Sequence, residues 1–93
     1  MKLLWSEAAW KDYLYWQKAG PDTLHRINAL LRDIRRNPFK GFGKPEPLRG
    51  NLSGWWSRRI SGDHRIVYRT RGVADEQRVE IVACRYHYST RRR

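Results

Sequence analysis

The sequence predicts an α+β domain in which two N-terminal antiparallel helices pack on one face of a small, mostly antiparallel twisted sheet. Three observations predict it. Leu24, Ile27, Leu31 and Ile34 recur at helical spacing and mark a buried helix face. Gly20-Pro21 leaves only a short connection between two helical stretches, which makes them an antiparallel pair. Beyond residue 54 come three strand-like runs at hairpin spacing. Helices in one block and strands in the next give an α+β layer.

Leu3-Leu4-Trp5 reads as a short first strand. Ser6 follows as an N-cap, its hydroxyl accepting from an otherwise unpaired backbone N–H. Trp5 and Trp10 stand at the two positions of a hydrophobic staple. The first helix runs to Lys18 or Ala19 and breaks at Gly20. Pro21 suits the first turn of the second helix. Arg35 and Arg36 favour the negative end of its dipole, and Asn37-Pro38 stops it, because the residue before proline avoids the helical region. Residues 39–54 form a glycine- and proline-rich loop, and long loops inside small domains are often functional. The strands are read at residues 55–60, 64–70 and 79–86, with Ser61-Gly62-Asp63 as one turn and residues 71–77 as a polar loop. Strict side-chain alternation turns Ile60, Ile66, Tyr68, Val82 and Cys84 toward the helices. Arg59, Arg65, Arg85 and His87 then face outward together, with Val67, Ile81 and Ala83 beside them.

Ninety-three residues give room for one domain and one modest core. The formal charge is +11, yet 40% of the residues are hydrophobic, too many for a disordered basic tail. A folded basic domain seeks an anionic partner. Nucleic acid comes first, because each neutralised phosphate releases counterions. A membrane surface fits less well, since the cations do not line one amphipathic helix. An acidic protein is a third candidate. A single cysteine, Cys84, excludes an intramolecular disulfide and a thiolate-rich zinc site. No signal-peptide pattern is read at the N-terminus and no run spans a bilayer, so the cytoplasm is the expected compartment. No metal and no cofactor are expected.

The chemistry concentrates on one acid. Between Asp33 and Asp63 the sole carboxylate is Glu46, among seven cations. It stands between Pro45 and Pro47, so its backbone is stiff. RNA carries its own nucleophile, the 2′-OH. Its attack on the neighbouring phosphorus needs a base, an acid for the departing 5′ oxygen, and positive charge around the phosphorane. Glu46 is the candidate base. His87 is the candidate acid, since imidazole titrates near neutrality. Arg59 and Arg65 are the candidate phosphate-binding cations, each able to hold two oxygens. Lys44 and Arg49 flank Glu46 and suit the RNA backbone, as does the outward Arg85. Tyr88 and Trp55 are candidate stacking residues.

Each assignment has a plainer rival. One Glu in a basic loop is usually a solvated ion-pair partner. A histidine near a terminus is usually exposed and idle, and His25 and His64 are read as structural or solvent-facing. Arg58, Arg59, Arg65 and Arg69 also fit a solvated strand face. Trp56 and Tyr68 read as core, and Arg91-Arg92-Arg93 as a disordered basic tail. From the residues alone, RNA binding and RNA cleavage both stay open.

A close resemblance adds to this reading. Lys2-Leu3-Leu4-Trp5-Ser6-Glu7, Arg35-Arg36-Asn37-Pro38-Phe39, Gly43-Lys44-Pro45-Glu46-Pro47-Leu48, Trp56-Ser57-Arg58-Arg59-Ile60, His64-Arg65-Ile66-Val67-Tyr68 and Ala83-Cys84-Arg85-Tyr86-His87-Tyr88 resemble, in order, the YoeB toxins of the RelE superfamily. The likeness spans residues 1–88, leaving 89–93 as a basic tail beyond the family's usual His-Tyr end. The loop at 71–77 is longer than usual, and Arg49 stands where lysine is common. The resemblance implies a RelE-like fold and an mRNA interferase that enters the ribosomal A site and cleaves the message without metal, leaving a 2′,3′-cyclic phosphate. It implies Glu46 as general base, His87 as general acid, Arg59 and Arg65 as phosphate stabilisers and Tyr88 as the terminal aromatic. It also implies an acidic YefM-like antitoxin and pairing into homodimers. Two alternatives remain: a ParE-like toxin that binds gyrase, and a noncatalytic RNA- or ribosome-binding domain. Glu46 and His87 together speak against both.

Overall fold

The computed structural model describes residues 1–86; the candidate acid His87, Tyr88 and the basic tail lie outside the described residues. The elements follow in the order β1 (Lys2–Trp5), α1 (Glu7–Ala19), α2 (Pro21–Arg36), β2 (Glu46–Pro47), β3 (Trp56–Ser61), β4 (His64–Arg71) and β5 (Arg78–Ala83). Short 3₁₀ turns occupy Gly50–Leu52 and Ala74–Glu76. The five strands form one sheet in the order β1-β5-β4-β3-β2. β1 runs parallel to β5, and the other neighbours are antiparallel. This is the expected α+β layer, with one more strand, β2, than the sequence suggested.

Both helix starts match their sequence signals. The Ser6 hydroxyl accepts from the Ala9 amide at 3.0 Å. The Trp5 and Trp10 rings meet edge to face at 5.7 Å, closing the staple. Pro21 opens α2, and Ile27, Leu30, Leu31 and Ile34 form its buried stripe. These residues pack with Ala9 and Trp16 of α1 against Ile60, Ile66, Tyr68, Val79, Ile81 and Cys84 of the sheet side. No helix among the described residues is long and apolar enough to cross a membrane.

The expected facing of β5 needs correction. Ile81, not Val82, faces the helices, while Val82 packs with Val67 and Ala83 on the opposite face. A β-bulge is the reason. Tyr68 pairs with Ile81 but Val67 pairs with Ala83, so Val82 is an extra residue and the alternation changes phase there. Complete burial of Ile81 contributes about 1.5–3 kcal/mol, which favours this phase. Val67 and Ala83 do turn away from the helices, as expected, yet they are not open to solvent. The returning loop lays Leu48, Leu52 and Trp55 over them as a second, smaller core.

A second correction concerns Arg58, which is no part of a solvated strand face. It is fully buried on the helix side. All five of its N–H donors are used. Nε donates to the Tyr68 hydroxyl at 3.2 Å. One terminal nitrogen donates to the Asp33 carboxylate and, at 3.1 Å, to the Phe42 carbonyl. The other donates to the carbonyls of Asn37 at 2.7 Å and Lys40 at 3.1 Å. The Tyr68 hydroxyl in turn donates to the Pro38 carbonyl at 2.6 Å. The guanidinium therefore gathers the whole turn after α2, and that turn leads into Lys44 and Glu46.

Candidate active site

Glu46 reaches its place through a tightly determined path. Gly43 has φ +83°, and a Cβ there would lie 2.8 Å from a methyl of buried Leu30. Its carbonyl accepts from the Arg59 amide at 2.6 Å. Lys44 follows in the left-handed region at φ +52°, an uncommon conformation for a side-chain-bearing residue and one that clusters at functional sites. Pro45 and Pro47 then straighten the chain, and the short β2 pairs at the sheet edge, where proline's missing donor is tolerated.

Strand register sets the distances. Glu46 pairs with Ser57, and Arg59 lies two residues further along β3 on the same face. Such diagonal neighbours stand about 7–8 Å apart. Arg59 in turn pairs directly with Arg65 of β4. Lys44, Pro45, Glu46, Ser57, Arg59 and Arg65 line one cleft of roughly 300 Å³. Like charges directly opposite each other repel, so an Arg59–Arg65 pair is a standing invitation to an anion. Among the described residues neither guanidinium enters an ion pair, whereas Arg58, Arg69 and Arg78 all do. Arg65 is held by its own turn, donating to the carbonyls of Gly62 at 2.9 Å and His64 at 3.1 Å. A phosphodiester seated between the two forks would have a carboxylate within reach on one side.

The structure separates the remaining candidates. Lys44 lines the cleft; Arg49, Trp55 and Arg85 do not. Arg49 is exposed at the start of the 3₁₀ turn. Trp55 covers the smaller core, with the Arg69 guanidinium 4.3 Å from its ring centre. Arg85 does not face outward beside Arg59 and Arg65. Its guanidinium lies 3.5 Å from the ring centre of Tyr15 on α1, because β5 ends at Ala83, short of the expected residue 86, and the chain bends away from the strand direction through Cys84, Arg85 and Tyr86. His87 and Tyr88 fall outside the described residues. Their predecessor Tyr86 is well anchored: its carbonyl accepts from the Arg65 backbone amide at 3.1 Å. Sequence reasoning missed Ser57, which alternation alone could have found, since it shares a strand face with Arg59. Among the described residues no group of three or more His, Cys, Asp or Glu could hold a metal ion.

Electrostatics around the cleft is asymmetric. Asp33 is held below the usual carboxylate range by its hydrogen bond from Arg58, and Glu80 by its hydrogen bonds from Arg69 and Arg78. These acids are spent on structural arginines.

Comparison with known proteins agrees with the fold. Residues 5–88 match the family model of the YoeB-like toxin of bacterial type II toxin–antitoxin systems. The chain is 57% identical over 88 residues to Toxin YoeB of Escherichia coli K12, covering 95% of this chain and 100% of that protein. A solved YoeB/ParE toxin from Agrobacterium tumefaciens superposes with a TM-score of 0.90 at 49% identity, over 95% of this chain and all of that one. The toxin in a heterotetrameric YoeB–YefM toxin–antitoxin complex from Staphylococcus aureus superposes with a TM-score of 0.80 at 42% identity, over 95% and 98% of the two chains. The chain belongs to the YoeB-like toxin family of bacterial type II toxin–antitoxin systems.

Proposed function

We propose that this toxin is a ribosome-dependent mRNA endoribonuclease that cleaves by acid–base catalysis with the RNA's own 2′-OH. One observation carries the reading: Glu46 shares a cleft with two arginines that have no ion-pair partner among the described residues. Glu46 takes the 2′ proton as the 2′ oxygen bonds to phosphorus. Arg59 and Arg65 stabilise the extra negative charge on the phosphorane. The P–O5′ bond breaks, His87 gives the departing oxygen its proton, and a 2′,3′-cyclic phosphate remains. Lys44 holds a neighbouring phosphate, and Tyr88 acts as the terminal aromatic against the RNA. Neither metal nor cofactor is needed for this step.

The partners follow from charge and kinship. Message in the ribosomal A site is the substrate, and ribosomal RNA suits a chain of net charge +11. An acidic YefM-like antitoxin neutralises the toxin, and two toxin chains pair as a homodimer. The site of action is the cytoplasm. Mapping cleavage ends in a translating extract tests the reading, with wild type beside Glu46→Gln. General-base catalysis contributes about 10²–10⁴-fold, so the variant's ends should nearly vanish while ribosome binding persists. Equal cleavage by both proteins would favour the reading of a noncatalytic ribosome-binding domain.

A further inference from the structure

The chain bends sharply just before His87, and one side chain outside the cleft holds the bend. Tyr86 has φ +63°, a left-handed conformation that a tyrosine adopts only when its surroundings impose it. Both of its backbone polar groups are used. Its carbonyl accepts from the Arg65 amide at 3.1 Å, and its amide donates to Nδ1 of His64 at 2.7 Å. The neighbouring chain is fixed as well. The Cys84 amide donates to Asp12 at 3.0 Å, and its carbonyl accepts from the Trp16 indole at 2.8 Å. Among the described residues His64 is thus the titratable side chain that holds the Tyr86 backbone, while Arg85 donates to the Tyr86 hydroxyl at 3.0 Å.

We propose that His64 is a positioning residue and a proton-sensitive latch: its neutral imidazole holds the Tyr86 amide, and with it the left-handed turn that precedes His87, and protonation at Nδ1 releases that amide. The inference rests on the reading of His87 as general acid. A nitrogen that carries a proton cannot accept one, so the imidazolium loses this bond. The ring is wedged between the Trp16 edge, with centroids 4.9 Å apart, and the Tyr86 ring at 5.5 Å. Asp12 on α1, Asp63 and Arg65 beside it in the chain, and Arg85 after β5 are the charged groups that act on it. Burial and then the Arg85 charge push its pKa down, against the opposite pull of Asp63 and Asp12. The latch is therefore closed at neutral pH. It opens as pH falls through the lowered folded value.

Two readouts test this. In ¹⁵N-labelled protein taken from neutral pH into the acid range, the Tyr86 amide resonance and the His64 ring should titrate with one common midpoint, below the ordinary histidine value. His64→Asn offers an acceptor oxygen near the Nδ1 position and cannot titrate, so its Tyr86 amide should stay in place across that range. In cleavage of message on purified ribosomes, His64→Leu should lower the maximal rate on the order of 10- to 100-fold with little change in half-saturating ribosome concentration. His64→Asn should retain most of the neutral-pH rate and decline less toward acid than wild type, keeping only the decline that comes from protonating Glu46. A Tyr86 amide that ignores His64 titration overturns the latch, as does a His64→Leu maximal rate equal to wild type. Should His64→Leu misfold by circular dichroism, the amide titration and the Asn variant still decide. If wild type and Glu46→Gln cleave alike, the nuclease reading fails, while the amide titration still reports on the latch.

Discussion

Two adjacent arginines should respond in opposite ways to the same substitution. Arg58 is fully buried and donates to five acceptors; Arg59 opens onto the cleft with no ion-pair partner among the described residues. Arg58→Met keeps much of the aliphatic volume but strands the Asp33 carboxylate, whose side chain is only 16% exposed. It also unpairs the carbonyls of Asn37, Lys40 and Phe42. Breaking a buried ion pair from one side costs about 3–5 kcal/mol. With a urea slope of about 1–1.5 kcal/mol/M for a chain this size, the midpoint should fall by roughly 2–5 M. Arg59→Met removes a charge that faces Arg65, so its stability should stay within about 0.5 kcal/mol of wild type or rise slightly. Urea unfolding followed by tryptophan fluorescence reads both. A double-mutant cycle with Asp33→Asn should return a coupling of at least about 1 kcal/mol. Equal losses in the two single variants, or a loss below about 1 kcal/mol at Arg58, would refute the hub.

Other outcomes follow from the same contacts. Gly43→Ala must place a methyl 2.8 Å from buried Leu30 at φ +83°, so it should lose about 2–4 kcal/mol by urea titration. Gly54→Ala, at φ +93° with open space around it, should lose only about 1–2 kcal/mol. Asp33 and Glu80 have folded pKa values below their ordinary ones, so the stability they contribute is complete above about pH 4.5 and drains away as pH falls through the lower folded values. Urea midpoints should drop in that acid window, and Arg58→Met should show a shallower drop because Asp33 no longer titrates low. Chelators should leave cleavage unchanged on ribosomes kept intact with polyamines.

Much of the frame was legible because its signals are local. The Ser6 cap, the Trp5–Trp10 staple and the Pro21 start each depend on residues within one turn, and each forms as the residues suggest. Glu46 stood out for a similar reason: a lone acid between prolines needs no partner to be noticed. The facing of β5 was not legible, since a bulge at Val82 depends on how β4 offers its hydrogen bonds, which no single strand reveals. Arg58 misled through its charge. Arginines usually face water, and what draws this one inward is an arrangement of loop carbonyls that exists only after folding. Its place beside Trp56 and Ile60 in the alternation was the available clue. The role offered here for His64 was hidden for the same reason, because its partner amide is 22 residues away.

The claim that matters most is that the message supplies its own nucleophile to Glu46. A message carrying a single 2′-deoxy substitution on the nucleotide 5′ to the cut, loaded in the ribosomal A site, tests it directly. The account predicts that the substituted message binds normally and is not cut there, while the ribose message yields an end with a cyclic phosphate. Cleavage of the deoxy message at the same position and rate would contradict it.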